Sequence, residues 1–260
     1  MSAALTVGVR GIGVWAPAVP SWPALQALLA GIAPEPEVAP AARMLAPGER
    51  RRAPLSVRLA VEVAAQAVQA SGLAAATLPT VFASAYGDST ITDELARTLA
   101  SVPTQVSPTR FTHSVLNAAA GHWSMATGCH AASSAVCAGE STFAAGLLEA
   151  ALQVVDSGHP LLFVASDIAT IGALVDVAPA TLSFACALVL APTGAPRLRL
   201  RTRSARARES LPRQLQAAAW YKQNPCARSL ALLEALARGA PPSLRLALAP
   251  ALTLDIEIEA

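Results

Sequence analysis

Two stretches of the chain, Leu161 to Ser166 and Leu182 to Leu190, are near-continuous apolar runs of strand length. A strand without a polar face cannot lie against water, so both runs require cover on either side, as in the middle of a layered α/β sheet. The rest of the sequence supplies the layers. Residues 5 to 14 read as a first strand, and Trp22 to Ala30 as a short helix with Ser21 as its N-cap. Residues 33 to 53, with several prolines, read as a surface loop. Helices are predicted over Leu55 to Ser71, Asp88 to Ala100, Thr112 to Thr127 and Ser141 to Ser157, the first and third stopped by Gly72 and Gly128. Between them, Thr80 to Ser84 and Ser133 to Cys137 read as strands, and residues 101 to 110 as a loop. This alternation is the pattern of an α/β fold. The chain has 60 alanines and only 4% aromatics, so its core must come from small side chains that let helices approach a sheet closely.

The same numbers exclude several classes. Nineteen cations against 17 acids leave a net charge of +2, which is no electrostatic footprint for nucleic acid. The most apolar window, Val177 to Pro192, is shorter than the ~20 residues of a spanning helix, so no membrane span is expected. No secretory leader is legible at the N-terminus, and the four cysteines form no CxxC pair, which together predict a reduced, cytoplasmic setting. His122, Cys129, His130 and Cys137 are spaced by seven, one and seven, which matches no zinc pattern. Gly8, Gly11 and Gly13 lack the spacing of a dinucleotide loop and read as strand and turn glycines. Neither a metal nor a cofactor is expected.

From Pro196 the character changes. Arg197, Arg199, Arg201 and Arg203 alternate with Leu198, Leu200 and Thr202, so the four guanidiniums share one face of a strand. At the far end Asp255, Glu257 and Glu259 do the same with the opposite sign. Opposite charges across an antiparallel pair stabilise it, so these two strands are predicted to be neighbours. Helices are predicted between them at about Pro212 to Tyr221 and Ala227 to Ala237.

The segment SSAVCAGESTFAAGLLEA places three chemically capable residues where a strand turns into a helix, whose first N–H groups favour negative charge. Ser141 sits in a partial GxSxG pattern whose fifth position is the bulky Phe143. Cys137 ends the strand, and Glu140 lies closest to the helix start, as a candidate capping charge.

At this segment, and over FTHSVLNAAAGHWSMATG (Phe111 to Gly128), the sequence resembles the N-terminal half of a β-ketoacyl synthase of the thiolase-like superfamily. In that family the catalytic Cys follows the helix-ending Gly by twelve residues; here that count lands on Glu140. Ala131-Ala132 stands where the family has Gly-Pro. More specifically, the chain resembles the short, chain-length-factor-like subunits of aryl-polyene and xanthomonadin-type pigment pathways. The resemblance implies a thiolase-like α/β/α fold, half the length of a full ketosynthase, on a mixed five-stranded sheet with helices on both faces. It implies one domain over 1–260, with 1–192 matching the ketosynthase half and 193–260 a divergent strand–helix–strand extension. Claisen condensation needs a thiolate to carry the acyl chain and donors for the enolate, and the matched sequence has neither set. The implied function is a non-catalytic subunit in a heterodimer with a full-length ketosynthase, meeting an acyl carrier protein indirectly. The implied interface is Phe111, Asn117, Ser133, Ser134, Ala135, Val136 and Cys137, with Arg50, Arg51 and Arg52 as carrier-protein contacts. Two alternatives stay open: a stand-alone acyl hydrolase or acyltransferase using Ser141 or Cys137, and a homodimeric binding or scaffold protein.

Overall fold

A computed structural model of the protein describes every residue except 1–3, 35, 37, 206–207, 240–242 and 260. In chain order the elements are β1 (Leu5–Trp15), α1 (Trp22–Leu29), α2 (Pro47–Arg52), α3 (Leu55–Ser71), β2 (Thr80–Ala83), α4 (Ser89–Ser101), α5 (Pro108–Ser114), α6 (Ala118–Thr127), β3 (Ser133–Val136), α7 (Thr142–Ser157), β4 (Leu161–Asp167), β5 (Phe184–Ala191), β6 (Arg197–Ser204), α8 (Leu215–Tyr221), α9 (Leu230–Arg238), β7 (Leu244–Ala249) and β8 (Leu252–Glu259).

All eight strands join one mixed sheet in the order β3-β2-β4-β5-β1-β6-β8-β7. The pairings of β2 with β3 and with β4 are parallel and the rest antiparallel. The expected five-stranded sheet is therefore corrected to eight. The free side of β1 pairs with β6, from Leu5 opposite Leu200 to Gly8 opposite Arg197, and β8 and β7 continue from there because their leucines and isoleucines share the same core.

Successive side chains of β4 and β5 enter two different cores, as an unbroken apolar run requires. Leu161, Phe163, Ala165, Cys186 and Leu188 pack with α1, α7 and α9; Leu162, Val164, Ala185, Ala187 and Val189 pack with α3 and Trp123 of α6. The layers are in close contact. A Cβ on Gly11 or Gly13 would sit 2.1 Å from the carbonyl oxygens of Ala67 and Val63 in α3, so those glycines let a helix lie directly on β1. Gly146 of α7 does the same against Phe163, whose ring would be 2.6 Å from the added carbon.

Three local expectations change. The loop at 33–53 contains α2, entered at Pro47, where a missing N–H costs nothing. The continuous helix predicted over Thr112 to Thr127 is broken into α5 and α6, with Val115 extended and the Ser114 hydroxyl donating back to the Phe111 carbonyl at 2.9 Å. The third is β7, absent from the sequence reading. It closes one end of the sheet, and its outer edge is covered. Glu209 accepts the Ala247 N–H at 2.9 Å, and Ser210 exchanges backbone and hydroxyl bonds with Arg245. Among the described residues no helix is long and apolar enough to cross a membrane.

Candidate functional site

The site is built outward from Asp167, the acid that ends β4. It is 2% exposed, and a carboxylate there is tolerable only if its oxygens are bonded. Ser84 donates its hydroxyl at 2.6 Å, Ala85 and Tyr86 donate N–H groups at 3.0 and 3.1 Å, and the Cys226 thiol donates at 3.0 Å. Burial pushes the Asp167 pKa up, and these bonds pull against it. Burial, then the Asp167 charge, holds the Cys226 thiol well above its usual range. The result is a fixed turn after β2 that aims Tyr86 across the end of the sheet.

Tyr86 donates its hydroxyl to Glu140 at 3.1 Å. Burial first, and then the Glu140 charge, raise the Tyr86 pKa to about 12, so the phenol stays a donor. Glu140 lies in a single 3-10 turn, Gly139–Ser141, between β3 and α7, with Gly139 at φ +52°. Its second oxygen pairs with Arg228. Arg228 also donates to Glu209 at 2.7 Å and lies 5.5 Å from the ring centre of Tyr221, whose hydroxyl donates to Glu209 at 3.1 Å. Burial opposes the Arg228 charge, but Glu209 and Glu140 together raise its pKa. Asp167, Tyr86, Glu140, Arg228 and Glu209 thus form one chain of contacts from the centre of the sheet to β7. Beside it is an open recess of about 690 Å³ lined by Glu140, Ser141, Glu209, Arg228, Ala247 and Thr253.

The other anticipated residues do not gather into a reactive centre. Cys137 is exposed, and its thiol donates to the Ala85 carbonyl at 3.3 Å. Among the described residues no histidine hydrogen-bonds Cys137 or Ser141. His159 sits just past Gly158, beyond the opposite end of the 16-residue α7, about 24 Å along its axis from Ser141. His122 instead pairs with Glu49 at 2.6 Å and packs 5.3 Å from the ring of His113. Phe111 and Asn117 are exposed at α5 and at the start of α6. Ser133 and Ala135 are exposed and Ser134 and Val136 half-buried on β3, which among the described residues pairs only with β2 and leaves its other edge open. Arg51 and Arg52 are exposed and Arg50 half-buried at the end of α2.

Residues 21–246 match the family model described as the β-ketoacyl synthase N-terminal domain. The chain belongs to that family. No curated protein matches its sequence. Among solved structures, a ketosynthase (ApeO) in complex with its chain length factor (ApeC) from Xenorhabdus doucetiae superposes with a TM-score of 0.73 at 23% identity, covering 97% of this chain and 99% of that one. The ishigamide ketosynthase/chain length factor gives 0.70 at 12% identity, covering 98% and 99%. The complex AntDE:AntF, a type II polyketide synthase acyl carrier protein with its ketosynthase bound to the hexaketide, gives 0.73 at 13%, with 98% and 99% covered. At these identities the likeness is one of fold, and it makes this β-ketoacyl synthase relative a thiolase-like α/β protein.

Sequence reasoning missed Tyr86, Asp167, Glu209 and Arg228. Only Asp167 carried a signal, as the single acid closing an otherwise apolar strand. Arg228 is 88 residues from Glu140, and no periodicity connects them.

Proposed function

We propose that this chain is a non-catalytic, chain-length-factor-like subunit that pairs with a full-length β-ketoacyl synthase, in a cytoplasmic aryl-polyene or related polyketide or fatty-acid-type elongation system. The carrying observation is that the turn before α7 presents Glu140, with both oxygens committed to Tyr86 and Arg228. A carboxylate is a poor acyl carrier, because the mixed anhydride it would form hydrolyses readily, and one neutralised by a guanidinium is poorer still as a nucleophile. The pair closes the spot as a polar plug beside which a growing chain held by the partner would end.

Partner pairing is supported by the unpaired edge of β3 among the described residues and by exposed apolar side chains of α5 and α6. Phe111 is 59% and Met125 of α6 68% exposed, a cost in water that an interface removes. Ser133 to Cys137 would extend the partner's sheet, with Phe111 and Asn117 beside it. Arg50, Arg51 and Arg52 are assigned to the carrier protein, whose acidic surface they would steer.

The test is co-expression with the neighbouring full-length ketosynthase, one partner tagged, followed by size-exclusion chromatography with light scattering. A 1:1 complex is expected, with Glu140→Ala shifting product length. A protein that stays monodisperse alone and ignores the synthase would refute the pairing. Fast, saturable labelling of Ser141 by a phosphonate or of Cys137 by iodoacetamide would replace it with the hydrolase reading.

A further inference from the structure

Apart from the turn that holds Glu140, a second charged feature is the outer face of β6 and β8. The inner face is apolar: Leu198, Leu200, Leu254 and Ile256 are fully buried. The outer face holds the predicted ladder, with Arg197 opposite Glu259, Arg199 opposite Glu257 and Arg201 opposite Asp255. The side chains follow the β6–β8 register at Arg199 and Glu257 but not at Arg201 and Asp255. Asp255 gives one oxygen to Arg203, its diagonal neighbour on β6, at 2.8 Å and the other to Arg245, its register partner on β7, at 3.1 Å, and not to Arg201. Arg199 reaches Glu257 only at 3.7 Å. Among the described residues neither Arg197 nor Arg201 has a carboxylate at ion-pair distance, and both are exposed. Four guanidiniums and one carboxylate line an open trough of about 1090 Å³, formed by Thr6, Arg197, Arg199, Arg201, Arg203 and Glu259.

We infer that this trough is a docking surface for a protein partner that presents an acidic helix. Guanidiniums at alternate strand positions recur every ~6.6 Å, and carboxylates four residues apart on a helix recur every ~6 Å, so two or three can be met in step. The guanidinium fork holds a carboxylate through two bonds, which rewards that geometry. Nucleic acid is disfavoured on the same observations. Its phosphates put one charge every ~1.7 Å along a duplex, Asp255, Glu257 and Glu259 would repel so dense a polyanion, and neither strand carries an aromatic side chain for base stacking. The surface is independent of the β3 edge, so it can be occupied whether or not a ketosynthase is bound.

The test uses the full chain and two fluorescein-labelled, amidated alanine-based helical peptides, one with Glu at every fourth position and one with Gln there, read by fluorescence anisotropy. Binding of the Glu peptide alone is expected, weakened about tenfold or more by Arg201→Glu with Arg197→Glu, and lost in high salt. Arg201→Gln should fall between, and thermal melting of each variant reports that the fold is kept. Equal binding of both peptides, or Glu-peptide binding that the variants do not change, would overturn the proposal. So would tighter, Arg201-dependent binding of a single-stranded oligonucleotide, which would make the surface a polyphosphate site.

Discussion

In β4 and β5 every residue but Ser166 is buried, whereas β6 and β8 bury only alternate residues along most of their length and leave the others in a charged ladder. Both regions belong to one sheet, yet different physics holds them. The central strands are stabilised on both faces by apolar area removed from water, at roughly 25 cal/mol per Å². The outer strands have that support on one face, and on the other only solvent-screened ion pairs worth about 0.2–1 kcal/mol each. The centre is thus free to be rigid, and the periphery to be chemically varied.

That contrast can be broken at its strong end first. Phe163→Ala empties a site shared by β4, α7 and β5 and is expected to cost about 3–5 kcal/mol in urea unfolding. Gly13→Ala should follow at about 1–3 kcal/mol, because the added methyl meets the Val63 carbonyl and α3 must lift from β1. A hydrogen-exchange experiment checks its mechanism, with α3 amides losing protection before those of α7.

The next two tests probe the seam between the regions. The native pKa of Asp167 lies above its ordinary value of 3.8. Between those two values the folded protein keeps a proton that the unfolded chain has released. Stability conferred by this group is therefore fullest below 3.8 and declines as pH rises through the native pKa. Urea midpoints of the wild type relative to Asp167→Asn should fall along that path, and a pH-independent difference would refute the assignment. Thiol labelling sharpens the same boundary. Exposed Cys137 should react with iodoacetamide in the native protein, slowly and without saturation, while Cys186, raised to about 12 by burial, and Cys226 should react only on unfolding. The smallest effect belongs to the ladder, where Arg199→Ala is expected to shift stability by under about 0.5 kcal/mol, and less in salt.

What was legible in the sequence follows the same division. Leu161 to Ser166 and Leu182 to Leu190 could be read as two-faced strands because their pattern is local. The pairing of the Arg stripe with Asp255, Glu257 and Glu259 could be read because alternation fixes a face and charge fixes a neighbour. The strand-then-helix pattern of SSAVCAGESTFAAGLLEA put Glu140 at a turn just ahead of a helix, where the structure has it. Arg228, Tyr86 and Glu209 were not legible, since each is a single residue brought to that turn by tertiary contacts across long sequence separations. β7 escaped because a short Leu-rich run after a proline pair carries too little period to separate from a loop, and because its place depends on β8.

The covering of β7 by Glu209 and Ser210 has a consequence for assembly. Sheet growth by strand addition needs an unsatisfied row of N–H and C=O groups at each junction. Among the described residues one terminus of the sheet is blunted, while the other, β3, is paired on its β2 side only. If β3 takes up a partner strand as proposed, a sheet with a single adhesive end gives a closed pair and no filament, so association through the backbone would stop at two.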